Sequence, residues 1–247
     1  MCKAFSCLVT KEGTVHWKAG QDSHDYLENM AGLRETGNSK SEYSYARVEI
    51  IPHNKENYPY LYPELDWILQ VDERVCPTWW SDKHIALAWQ AHTEWKEQVY
   101  QFDYRGIRDI KSPLGRKIKP NKHDVELLRQ WDSVWDSVGA SVGDSVGDSV
   151  KASVWDSVWA LVWASVWDSV WDSVKASVWA KVSSYFPQII EWKYYESEAG
   201  VNPFQSAIDL WDRGLIPSFD GTTWRLHSGK KAEIVFEITQ KELKGEI

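Results

Sequence analysis

The sequence predicts an α+β protein with a repetitive centre: an α+β N-terminal domain, a central β-solenoid of tetrapeptide repeats, and a small α+β C-terminal cap. Three observations predict it. On both flanks, short apolar runs alternate with period two and are separated by stretches of helical spacing. In the centre, Val stands at every fourth position from Val134 to Val182 without exception, in a unit whose fullest form is Trp-Asp-Ser-Val. The other residues of that unit, Asp, Ser and in places Gly, are poor helix interiors.

Residues 1–102 read as ββαββα. Ala4 to Thr10 is an apolar run that turns at Lys-Glu-Gly, and Thr14 to Trp17 returns as the second arm of a hairpin. Ser23 is placed to cap a short helix that puts Leu27, Met30, Ala31 and Leu33 on one face, with Gly32 near its end. Arg47 to Ile51 and Asp66 to Val71 alternate as strands, with an aromatic, Pro-punctuated loop between them. Ser81 opens a helix in which Ile85, Ala88, Trp89, His92, Trp95 and Val99 recur at helical spacing.

Residues 103–130 form a basic connector followed by a short helix leading into the repeat. The repeat itself, 131–182, raises a question of geometry. In one unbroken α-helix a four-residue period drifts by about 40° per unit, so a Val stripe of thirteen units winds more than once around the axis and cannot stay buried. A solenoid avoids this by sending one Val inward per short side while Asp-Ser makes a polar corner. Ala replaces Asp at 140, 152, 164 and 176, every twelfth residue, with further Ala at 160 and 180, which makes twelve residues the candidate coil length. The alternative for the repeat is a long, right-handed supercoiled α-helix.

Magnitudes then turn attention from Val to Trp. Burying one Val contributes about 1.5–3 kcal/mol, whereas ordering the four backbones of its unit costs roughly 4–8 kcal/mol. The eight repeat tryptophans, Trp131, Trp135, Trp155, Trp159, Trp163, Trp167, Trp171 and Trp179, must therefore leave water, and they are the candidate interaction residues. The Trp-free block Gly139, Gly143, Gly147, Lys151 marks a place of close contact. Residues 183–247 complete the chain with a helix from Asn202 to Leu215 and a hairpin formed by Thr222 to His227 and Ala232 to Ile238.

The repeat, with the opening MCKAFSCLVT and the segment PFQSAIDLWDRGLIPSFDGTTWRLH, resembles uncharacterised tetrapeptide-repeat proteins of bacteriophage and metagenomic origin, often labelled pentapeptide-repeat-like. The resemblance implies a phage- or microbe-associated structural protein and no particular activity. The four-residue unit departs from the five-residue motif, so the four-sided coil of pentapeptide-repeat proteins does not carry over.

The chain has 247 residues and a formal net charge of −8, which argues against a general polyanion binder. Three cysteines are too few for a disulfide framework and fit a cytoplasmic location; no apolar run suggests a membrane span. Cys2 is the candidate nucleophile of a thiol hydrolase, should Met1 be removed. Cys2, Cys7 and His16 lack the spacing of a metal site, and no metal or cofactor is expected. Arg116, Lys117 and Lys119 are the candidate phosphate contacts, in a run whose commoner role is a solvated linker. The leading expectation is a non-enzymatic structural or protein-interaction protein that self-associates through Trp ladders, its partner being itself or another protein. The alternatives are the Cys2 hydrolase and a factor that binds nucleic acid or inhibits a DNA enzyme.

Overall fold

The computed structural model describes residues 5–34, 43–72, 76–147, 156, 160 and 171–246. They form two compact units, the first within Met1–Gln101 and Asp148–Ser157 and the second within Phe102–Gly147 and Val158–Ile247.

The first unit is a four-stranded antiparallel sheet with helices on both faces of its inner strand. Strands β1 (Phe5–Thr10), β2 (Val15–His16), β3 (Tyr45–Pro52) and β4 (Trp67–Val71) lie in the order β2-β1-β3-β4. All six residues of β1 are buried, because α1 (His24–Ala31) and α2 (Asp82–Val99) both pack against it. Period two does the sorting. Leu8 joins Leu27 of α1 and Tyr45 in one cluster, while Phe5 meets His92 and Trp95 of α2 on the other side. The Ser23 hydroxyl caps α1 by accepting from the Tyr26 amide at 3.3 Å.

The second unit holds α3 (Tyr104–Arg108), α4 (Lys122–Asp132), α5 (Val138–Gly147), α6 (Trp171–Ser183), α7 (Gln205–Asp212), and the antiparallel sheet β5 (Ile216–Phe219), β6 (Thr223–Ser228), β7 (Glu233–Thr239), closed by α8 (Gln240–Lys244). Helix α4, read from the sequence as part of a connector, packs on α7 and α8. It is locked there by Asp124, a wholly buried carboxylate that accepts from the Arg213 Nε and, at 3.1 Å, from its second guanidinium nitrogen. Gly214 ends α7 with φ of +78°, and a side chain there would also press on the Pro113 carbonyl at 3.1 Å.

The β-solenoid expected for the repeat does not form. Among the described residues the repeat is helical: α4 runs into it, residues 133–137 make turns, and α5 and α6 are built from it, while every strand lies outside it. One long supercoiled helix is excluded too, since the turns at 133–137 interrupt it and α5 packs against α6.

The physical reason is segment length. Val138, Val142 and Val146 of α5 span two repeat units, as do Val174, Val178 and Val182 of α6, so the stripe drifts by only about 80° within each helix. An apolar face of about 100° accommodates that, and all six side chains are buried. The turns at 133–137 separate the phase of α5 from that of α4. The repeat serine is not a polar corner either. Ser141, Ser145 and Ser177 turn inward beside Val, where the Ser177 hydroxyl donates to the Pro217 carbonyl at 2.8 Å and Ser145 Oγ accepts from the Lys193 amide at 3.0 Å. Ser133 and Ser137 bond back to the carbonyls three residues earlier, at 2.7 and 3.2 Å.

Candidate functional site

Helices α5 and α6 pack together beside β5 and β6, and their side chains enclose an open cavity of about 390 Å³ within the second unit. One wall is a three-ring cluster. Phe219 stacks on Trp224 with centroids 4.7 Å apart, and Trp135 meets both edge-on at 5.1 and 5.9 Å. The Trp224 indole is fixed from behind, its Nε1–H donating to Asp132 Oδ1 at 2.7 Å. Asp132 also accepts from Gln240 at 2.6 Å and faces the Lys244 ammonium at 3.4 Å, which ties the wall to α8.

Trp179 forms the opposite wall by lying flat over the glycines of α5. Its ring atoms come within 3.5 Å of where a Cβ would stand at Gly139 and at Gly143. Large side chains at those two positions would displace it. Wholly buried Trp131 contributes to the floor, and its Nε1–H has no acceptor among the described residues. Exposed Asp136 and Lys175 supply one charge of each sign, and they do not pair with each other.

The cavity coincides with departures from the repeat. Trp occupies the first position of the unit in eight of its thirteen copies, yet Gly stands at 139 and Lys at 175, and Ala replaces Asp at 176. All three line the cavity. An indole at 139 would displace Trp179 and one at 175 would add a ring at the cavity mouth, so the residues of the full repeat unit would not leave this cavity as it stands.

Of the eight interaction candidates, the fold brings Trp131, Trp135 and Trp179 to this one cavity. Trp155, Trp159, Trp163 and Trp167 lie outside the described residues, as does the side chain of Trp171. Cys2 also lies outside them. Cys7 is sealed in β1, where burial pushes its thiol far above the usual range and keeps it protonated. His16 lies in β2 opposite Leu8. No group of three or more His, Cys, Asp or Glu among the described residues is arranged to hold a metal ion. Arg116, Lys117 and Lys119 are exposed, with Lys117 paired to Glu233 at 3.1 Å.

A Ser-His pair also invites a catalytic reading. Ser218 Oγ lies 2.7 Å from His227 Nε2, and His227 Nδ1 lies 3.0 Å from the Ala232 carbonyl. A carbonyl can only accept, so Nδ1 carries the proton and Nε2 accepts from the serine hydroxyl. Both side chains are buried across β5 and β6, and burial holds the imidazole below its ordinary pKa of 6.5. The pair clasps strand to turn.

Sequence reasoning named the three indoles and read Trp224 as a strand residue in a segment that could also be a ligand loop, but it missed Asp136, Lys175 and Phe219. The signal for Lys175 was its place in the Trp register. Compared with family models, curated proteins and solved structures, the chain matches none. Among the described residues, no helix is long and apolar enough to cross a membrane.

Proposed function

We propose that the protein is a non-enzymatic binding protein whose second unit holds a small aromatic ligand in the Trp135–Trp179 pocket. The observation that carries this reading is the coincidence of cavity and repeat departures: Gly139, Lys175 and Ala176 stand where the pattern has Trp, Trp and Asp. A volume of about 390 Å³ lies in the range of small-molecule sites, roughly 300–1,000 Å³, and ring walls with a few polar groups are their usual lining. Rings favour offset and edge-on contacts with other rings, so an aromatic guest extends the cluster already formed by Trp135, Phe219 and Trp224. Self-association through Trp ladders draws no support from Trp131, Trp135 and Trp179, which turn toward the cavity.

The test is ligand-observed saturation-transfer NMR with phenethyl alcohol, an uncharged aromatic probe. Saturable contact is expected with the natural protein and its loss with Lys175→Trp, which restores the repeat residue and plugs the pocket. Absence of contact with the natural protein, or undiminished contact with the variant, would overturn the reading.

A further inference from the structure

We infer that the pocket's ligand is a free aromatic α-amino acid, bound as its zwitterion. The inference rests on the pocket reading above and adds the chemistry of the ligand's head. Ring walls select a ring but say nothing of what it carries. The rim does, because Asp136 and Lys175 are both exposed at the cavity, opposite in sign, and not paired with one another. Asp132, the preceding carboxylate in the chain, is already committed to Trp224, Gln240 and Lys244. The rim therefore offers one site for an ammonium and one for a carboxylate.

A guest with a single charge satisfies one of these groups and is repelled by the other. An aromatic cation gains Asp136 and the faces of the indoles but meets the Lys175 ammonium. An aromatic anion gains Lys175 and meets Asp136. A phenylalanine or tyrosine side chain inside a peptide brings neither head charge. The free α-amino acid brings both on one carbon, next to the ring that enters the cavity. Its ammonium goes to Asp136 and its carboxylate to Lys175.

Four probes separate these cases: phenylalanine, phenethylamine, 3-phenylpropanoate and phenethyl alcohol, titrated at pH 7 against the full chain. Each exposed charge contact contributes up to about fivefold in affinity, so phenylalanine is expected to bind roughly tenfold more tightly than the uncharged alcohol, and more tightly than either singly charged analogue. Lys175→Ala should remove its advantage over phenethylamine, and Asp136→Asn its advantage over 3-phenylpropanoate. If either singly charged analogue matches phenylalanine in the natural protein, the zwitterion assignment is wrong. If the alcohol binds and phenylalanine gains nothing over it, the assignment falls while the pocket stands. If none of the four binds, both fall.

Discussion

Each unit gathers aromatic rings, and they do opposite things with them. In the first, Trp67, Trp95 and Phe5 close around His92 with centroids 4.7, 5.6 and 5.5 Å from the imidazole. In the second, Trp135, Phe219 and Trp224 form an equally tight cluster but stop at the edge of a cavity. The residue types are the same, and the neighbours decide the outcome. Around His92 the next positions are filled, by Trp89 among others; around Trp135 they are Gly139, Lys175 and Ala176. Beside one aromatic cluster Gly139, Ala176 and the exposed Lys175 leave a cavity, and beside the other packed rings make a core.

The contrast extends to what holds each unit. The second depends on buried charge: removing Arg213 leaves the buried Asp124 carboxylate with the Asn121 amide but no cation, so Arg213→Met should cost about 3 kcal/mol in urea unfolding. A loss under about 1 kcal/mol would mean that Asp124 is solvated after all.

The first unit instead hides a neutral base. Burial, helped by the Lys96 ammonium, lowers the His92 pKa from 6.5 to about 3. Unfolding lets it take a proton anywhere between those values, so its contribution to stability is complete above pH 6.5 and is lost as pH falls toward 3. The first unit should weaken by about 2 kcal/mol between pH 6.5 and pH 5, read by hydrogen exchange in β1 and β3. His92→Phe should remove most of that slope. An unchanged slope would place the acid sensitivity elsewhere.

A smaller effect probes the glycines under Trp179. At Gly143 a Cβ would meet the indole at 3.5 Å, ordinary contact. Gly143→Ala should therefore stabilise α5 by about 0.5–1 kcal/mol, whereas Gly143→Trp, the repeat residue, should destabilise it by displacing Trp179. If Trp is tolerated as well as Ala, the glycines are not there to seat the indole.

The elements that local pattern specifies were legible in the sequence. The Lys-Glu-Gly turn joins strands in which Val9 faces Val15, and the helical stripe from Ile85 to Val99 is buried at Ala88, His92, Trp95 and Val99 and half-buried at Ile85 and Trp89. Pattern misled where a rule met an unstated length. The 40° drift argument is sound for one long helix and fails for helices of 10 and 13 residues. Strand β5 escaped notice because Pro217 interrupts its run, and an edge strand is where proline is tolerated. With β5 went Phe219. Asp136 and Lys175 were invisible as a pair because 39 residues of chain separate them and only the packing of α5 on α6 brings both to the cavity.

The claim that departures from the repeat create a binding pocket is tested most directly by restoring the repeat at one position. Lys175 is exposed on α6, and Trp holds the equivalent register at Trp179 one unit later, so Lys175→Trp should leave the unfolding midpoint unchanged. The account predicts that this variant loses saturable contact with phenethyl alcohol and phenylalanine while the natural protein keeps it. Equal binding by both proteins, with the fold intact, would contradict it.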